Sequence, residues 1–375
     1  MEITNNPAIT KKINLSQAPW TMHEFFAGSG LVAYGLQGMF RPVWANDICP
    51  QKAAVYKANF ESNHFVLDDI KNISGITLPY AHLSWVSFPC QDLSLAGSIG
   101  GIDAKRSGLV WDWLRILKEM QQRPDLLLIE NVTGLLSTNN CANYIKLHNA
   151  LMDLNYKSGA IVLNASLFVP QSRPRVFIIA TRKDIQIPDE LQDSGKNWLH
   201  TKAAIKLGLM LPDWIWWRSK EAPVCKVKLN NIFDLNLPYD KDHVLKLISQ
   251  RHHEQLLQFT DYITTGYRRI RNGKQCLELR FDGLAGCLRT PEGGSSKQFL
   301  VVKQNSEIHA RVVSPREAAR LMGVPDTFDL PGTNNSAYRA MGDAVALPVA
   351  AFVGKSFLVP LAKVIYNEQK CRKSA

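Results

Sequence analysis

Cys90 follows the apolar run Leu83 to Ser87 and the dipeptide Phe88-Pro89, inside the stretch VSFPCQDLSLAG at 86–97. An apolar run of that length reads as a buried strand, and the proline ends it. The thiol therefore stands at a strand's carboxyl edge, where open α/β sheets hold their ligands. As a thiolate it is a nucleophile. Carboxylates recur at the same kind of edge. Asp47 closes the run Pro42–Ala45, Asp69 and Ile70 follow His64–Leu67, and Glu130 ends DLLLIE. Arg173 and Arg175 flank Pro174 in QSRPR, a spacing that lets both point the same way from an extended chain. Beside a cysteine and a glutamate they read as clamps for oxygen or phosphate.

These groups need a scaffold, and the chain supplies one by alternation. TMHEFF reads as a strand, Ala27-Gly28-Ser29-Gly30 as a turn, and LVAYGLQGM as a helix. Glycines let a ligand approach the backbone, and the helix that follows presents free amides. Asp47 lies about twenty residues further on, the offset at which nucleotide folds place an acid on ribose hydroxyls. With Asp69 this describes a pocket for an adenosine-like ligand. Helices are predicted over Pro50–Phe60, Leu109–Gln121 and Asn143–Leu154, and strands over Ala160–Asn164 and VFIIAT. Crossover-length connections make this a parallel, doubly wound α/β sheet up to about Thr181. The glycine-containing loop from Gly97 to Gly108 is expected to be functional.

Beyond Lys183 the pattern becomes irregular, with short β-like runs, Trp214-Ile215-Trp216-Trp217 and the basic stretch Tyr267 to Arg271. This reads as a second, smaller β-rich domain with the tryptophans as its core. Arg268, Arg269 and the stretch from Arg289 through Gly293, Gly294, Ser295, Ser296 and Lys297 are placed to touch a nucleic acid. Ser314, Pro315 and Glu317 are N-cap, N1 and N3 of a helix that Gly323 ends. From Ala337 the chain is apolar and helical, long enough to dock on the sheet, with Pro348 kinking it or starting a new helix.

Composition bounds the function. The chain has 375 residues, 46% hydrophobic and 21% charged, as in an ordinary globular protein of two or three domains. A net charge of +11 favours a polyanionic partner. No uninterrupted apolar run approaches the roughly 20 residues of a membrane span, and the first residues lack a signal-peptide core. A soluble, intracellular protein is expected. Seven cysteines, none spaced as C-x-x-C, argue against a disulfide framework or structural zinc.

FFAGSG, AND, DDI, FPCQ, ENV, QSRPR, SPREAARLMGVPDTF and GDAV, in that order from about Met22 to Gly354, resemble the cytosine-5 DNA methyltransferases, S-adenosyl-L-methionine-dependent enzymes of bacterial or phage type. The resemblance implies a Rossmann-like catalytic domain with a target-recognition domain inserted before the chain returns to the sheet. The boundaries are a flexible arm at 1–20, the cofactor-binding domain at 21–186, the recognition domain at 187–334, and the return with a basic tail at 335–375. It implies that Cys90 is the nucleophile, Glu130 binds the base, and Arg175, supported by Arg173, contacts the base oxygen. Phe26, Gly28, Gly30, Asp47, Ile48, Asp69, Ile70, Pro89, Leu109, Asp343 and Val345 are the implied cofactor contacts. Gln91, Ser94 and Arg106 are assigned to the DNA backbone or to the gap left by a flipped base.

Glu24 stands where the family more often has Asp, and Asp343 where it has Asn, adding a negative charge at the cofactor site. The implied partner is double-stranded DNA, with a restriction endonuclease as genetic partner and a monomer acting in the cytoplasm at the nucleoid. Two alternatives share the core: a tRNA-methylating enzyme, whose Cys-Phe-Thr tripeptide is absent here, and a non-catalytic DNA-binding regulator.

Overall fold

In the computed structural model, residues 12–89, 101–104, 108–239, 244–291 and 296–374 are described. Seven strands form the main sheet: β1 Trp20–Phe25, β2 Phe40–Asp47, β3 Phe65–Leu67, β4 Leu83–Val86, β5 Leu126–Asn131, β6 Tyr156–Asn164 and β7 Pro174–Arg182. Their order is β3-β2-β1-β4-β5-β7-β6. The chain winds outward from β1 to β3, then returns to place β4 on the other side of β1. That reversal is the switch point at which such sheets open a crevice at their carboxyl ends.

Period-two alternation divides the core. Leu126 and Leu128 of β5 join the cluster under helices Leu31–Gly35, Pro50–Asn59 and Leu347–Val353. Leu127 and Ile129 face helices Leu109–Glu119, Ala142–Asp153 and Lys202–Met210. Both faces are covered, which is why β5 reads as a continuous apolar run.

The all-parallel expectation needs one correction. β7 runs antiparallel to both β5 and β6. Only 165–173 joins β6 to β7, too short for a helical crossover, so the chain returns antiparallel. The helix expected over LVAYGLQGM is also shorter, Leu31–Gly35. Pro348 starts a new helix, at its first turn after the Ala346 N-cap. The stretch Asn334–Cys371 is long and apolar enough to cross a bilayer, although its residues do not form one uninterrupted apolar run, and half of its apolar window is buried.

A second sheet holds β8 Tyr262–Arg271, β9 Lys274–Leu279, β10 Gln298–Gln304 and β11 Glu307–Val312, all antiparallel in the order β11-β10-β8-β9. Asn272-Gly273, both with positive φ, turn β8 into β9, the dipeptide that a two-residue hairpin favours. Leu277, Phe299 and Val301 pack with Val244 and Leu256 as its own small core.

The tryptophan cluster was expected in that small core and lies elsewhere. Trp217 donates from Nε1 to the carbonyls of Gly159 (3.1 Å) and Ile179 (3.2 Å), and the Ile215 amide donates to Ser158 (3.0 Å). A Cβ on Gly159 would stand 1.9 Å from the Ile215 carbonyl oxygen. The segment thus straps the outer edge of the main sheet against β6. An edge strand with unpaired backbone groups needs such a cover.

Candidate active site

β1 and β4 are neighbours in the sheet, with Phe25 opposite Val86. Adjacency brings the glycine turn after β1 beside the Phe88-Pro89 end of β4. Asn131 secures that end: its Nδ2 donates to the Phe88 carbonyl (3.0 Å), and its Oδ1 accepts from the Val132 amide (2.9 Å). Cys90 itself lies outside the described residues, as do Gln91, Ser94, Arg106, Gly293, Gly294 and Ser295.

The antiparallel course of β7 has a chemical consequence. Its first residues stand beside the last residues of β5, with Val176 opposite Asn131 and Phe177 opposite Glu130. Arg175 therefore meets Glu130, Nε to Oε1 at 3.2 Å, with the carboxylate side chain only 7% exposed. Burial pushes the Glu130 carboxyl above its ordinary value; Arg175, Arg173 and the Ser87 hydroxyl pull it back without cancelling the rise. The carboxyl is thus biased toward holding a proton nearer neutrality than a free glutamate would.

Both arginines reach the same side, as their spacing predicts, because both guanidiniums approach the Cys287 sulfur: Arg173 at 3.2 Å and Arg175 at 3.8 Å. Their surroundings differ. Arg173 is 1% exposed; besides Cys287 it donates to the carbonyls of Leu288 (3.0 Å), Gly342 (3.1 Å) and Ala344 (2.7 Å). All four of its terminal N–H groups thereby meet protein partners, so Arg173 clips together the segments around Cys287, Leu288, Gly342 and Ala344. Burial raises the Cys287 thiol, but the two guanidiniums outweigh it and leave its pKa below the usual thiol value.

In the turn after β1, Gly28 and Gly30 have φ of 58° and 80°, and Phe26 has 57°. A Cβ on Gly30 would stand 2.5 Å from the Phe60 ring, so the turn needs glycine there. Asp47 ends β2, accepting from the amides of Gly28 (2.9 Å) and Cys49 (2.8 Å). Burial raises its carboxyl, with Lys52 opposing. Ile48 beside it is 62% exposed. An exposed apolar side chain next to a strand-end acid fits a nucleoside, one offering a face to the base and the other an acceptor to the ribose. Asp69 accepts from the Lys71 amide (3.0 Å). Phe26 and Leu109 are half-buried against one core cluster, Ile70 lies within it, and Val345 lies in the other. Pro89 is half-buried.

The basic residues in and beside the small sheet lie over three aromatic rings, two of them sharing Tyr267. Arg269 and Arg289 lie over Tyr267, with guanidinium carbons 5.1 and 5.6 Å from its centroid. Arg268 lies 4.8 Å over Phe299, and Lys297 lies 5.3 Å over Tyr338. Arg289 is exposed, while Arg268, Arg269, Ser296 and Lys297 are half-buried. Arg289 follows Leu288, whose carbonyl Arg173 holds, so this surface is tied to the start of β7.

Sequence reasoning missed Lys52, Ser87, Cys287 and Tyr267. Lys52 had a local signal, a cation in the first turn of the helix after Asp47. Cys287 had none, because the arginines that approach it lie more than a hundred residues away.

A family model described as C-5 cytosine-specific DNA methylase matches residues 20–358. The chain is 25% identical over 367 residues to the Type II methyltransferase M1.ScrFI of Lactococcus lactis subsp. cremoris, covering 95% of this chain and 82% of that protein. It is 25% identical over 343 residues to the Type II methyltransferase M.HhaI of Haemophilus parahaemolyticus, covering 88% and 91%. Among solved structures, the Entamoeba histolytica methyltransferase EhMeth shares the fold, with a TM-score of 0.60, 18% identity, and coverage of 92% of this chain and 99% of that one.

Proposed function

The chain belongs to the C-5 cytosine-specific DNA methylases, and on that premise we propose that it methylates cytosine within a defined sequence of double-stranded DNA through Cys90, Glu130 and Arg175. S-adenosyl-L-methionine supplies an electrophilic methyl group on its sulfonium. Phe26, Gly28, Asp47, Ile48 and Asp69 would hold it at the switch-point crevice.

Carbon 5 of cytosine is too weak a nucleophile to take a methyl group unaided. Addition of the Cys90 thiolate at carbon 6 pushes electron density through the ring and makes carbon 5 enamine-like. Glu130 gives a proton or strong hydrogen bond to ring nitrogen 3 as charge builds there, and accepts from the exocyclic amine. Arg175 donates to the base carbonyl oxygen. Once carbon 5 has taken the methyl group, with the thioether S-adenosylhomocysteine as the leaving group, loss of the carbon 5 proton and expulsion of the thiolate restore the aromatic ring and free Cys90. A base inside a duplex cannot present its face to a thiolate, so it must be flipped out, at a cost of a few kcal/mol.

The observation that carries this reading is the buried Glu130–Arg175 pair, set at the strand end beside the Phe88-Pro89 turn that Asn131 secures. Arg268, Arg269, Arg289 and Lys297 are proposed to meet the DNA, with Tyr267 aligning two of them. The Type II names of the relatives support a restriction endonuclease as genetic partner. Action as a monomer on DNA in the cytoplasm, at the nucleoid, completes the reading.

Purified protein given tritiated S-adenosyl-L-methionine should label duplex DNA and not tRNA, and bisulfite sequencing of DNA from expressing cells should show one methylated motif. Label on tRNA alone would overturn the reading.

A further inference from the structure

Arg175 is held from three directions, one for each nitrogen of its guanidinium. Nε lies 3.2 Å from Oε1 of Glu130 on β5, Nη1 donates to the carbonyl of Pro174 on its own strand (2.9 Å), and Nη2 donates to the sulfur of Cys287 (3.8 Å). Of these three partners, only the sulfur comes from beyond the main sheet. It belongs to the segment 285–289, which ends in Arg289, one of the residues proposed to meet DNA.

That segment is fixed on both sides. The Ala285 amide donates to the Pro170 carbonyl (2.8 Å), the Ala285 carbonyl accepts from the Ser172 amide (2.8 Å), and the Leu288 amide donates to Oε1 of Gln171 (3.1 Å). From the small sheet, the Tyr267 hydroxyl donates to the Cys287 carbonyl, and a Cβ on Gly286 would stand 2.5 Å from the Tyr267 ring. The half-buried sulfur is therefore a fixed point against which a guanidinium can be set. A neutral thiol is a weak acceptor. Burial opposes the thiolate here, yet the two guanidiniums outweigh it, and an anionic acceptor holds an N–H more firmly than a neutral one.

We propose that Cys287 is a positioning residue for methyl transfer: its sulfur, fixed on the segment that carries Arg289, sets the plane of the Arg175 guanidinium toward the carbonyl oxygen of the flipped base. The assignment rests on the function proposed above and adds to it a residue that acts through Arg175 rather than on the base. Holding the joint together is a weak account of the sulfur, because Arg173 keeps the carbonyls of Leu288, Gly342 and Ala344 without it. For Arg175 the loss is one of direction. A guanidinium is a rigid planar fork, so a tilt of its plane misdirects the N–H aimed at the base even while the Glu130 contact persists.

The test measures methyl transfer by the full-length protein, in excess over unmethylated genomic duplex DNA, together with DNA affinity. Cys287→Ala should slow transfer about tenfold or more while changing DNA affinity by less than about twofold. Cys287→Ser, whose hydroxyl accepts the same N–H, should be faster than the alanine variant by about threefold or more. In an Arg175→Lys background, where the fork is already gone, Cys287→Ala should change the rate by less than about twofold, whereas a merely structural role would slow both backgrounds alike. No slowing by Cys287→Ala, a serine variant as slow as the alanine one, equal slowing in the two backgrounds, or a matching loss of DNA affinity would overturn the proposal and leave the function standing. A wild-type protein that labels no duplex DNA would overturn the function itself.

Discussion

Cys90 and Glu130 divide the chemistry between a nucleophile and an acid, and each can be tested alone. DNA carrying 5-fluorocytosine in the target site should trap a covalent adduct at Cys90, because fluorine cannot leave as the carbon 5 proton does. Denaturing electrophoresis reads the adduct, and Cys90→Ala should abolish it while DNA binding, resting on phosphate contacts, persists. Glu24 offers a pH test. It is 1% exposed, and burial lifts its carboxyl from 4.5 to about 8, with Asp47 adding to the rise and a backbone hydrogen bond at Ala33 opposing it. A group whose folded pKa is raised stabilises the fold below its unfolded pKa and loses that contribution as pH climbs through the folded one. Stability should therefore fall between pH 4.5 and about 8, and Glu24→Gln should flatten that slope in urea titrations. Glu130, Arg175 and Asp47 were legible in the sequence because strand ends can be read from where apolar runs stop. The neutralising company of Asp343 was not, since Lys52 lies 291 positions away and only packing brings the two together.

At the level of elements, β7 carries more than its nine residues suggest. Running antiparallel, it sets Arg175 against Glu130 and sends Arg173 into the joint between the two sheets. Arg173→Met should leave the carbonyls of Leu288, Gly342 and Ala344 without their donor and cost about 3–5 kcal/mol, read as a lower urea midpoint. An unchanged midpoint with lost turnover would instead place Arg173 at the base. The alternation of strands and helices was readable because buried parallel strands are continuous apolar runs. The direction of β7 was not read from the pattern: the short 165–173 link pointed to it, yet the run VFIIAT is equally apolar either way. The tryptophan strap was misplaced for a related reason. Aromatic clustering signals burial but does not say which sheet is covered.

Across the whole molecule, charge and architecture act together. The excess of +11 is spread over the sequence, yet the small sheet focuses part of it on Tyr267 and its two guanidiniums. DNA affinity should fall steeply with salt, and Arg289→Ala should reduce the slope of log K against log salt by about one while weakening all sequences alike. A flat salt response would exclude phosphate-dominated binding. The basic patch was legible as composition; its focus on one ring required β8 and β10 to pair with Gln298 opposite Tyr267.

Arg173 holds the carbonyl before Arg289 with one nitrogen and the carbonyls on either side of Asp343 with the other. The segment proposed to meet DNA and the segment proposed to meet the cofactor are therefore fastened to one planar cation. If filling either site shifts that cation, the two binding events share a free energy. Thermodynamic reciprocity then requires that whatever factor DNA adds to the affinity for S-adenosylhomocysteine, S-adenosylhomocysteine returns to the affinity for DNA.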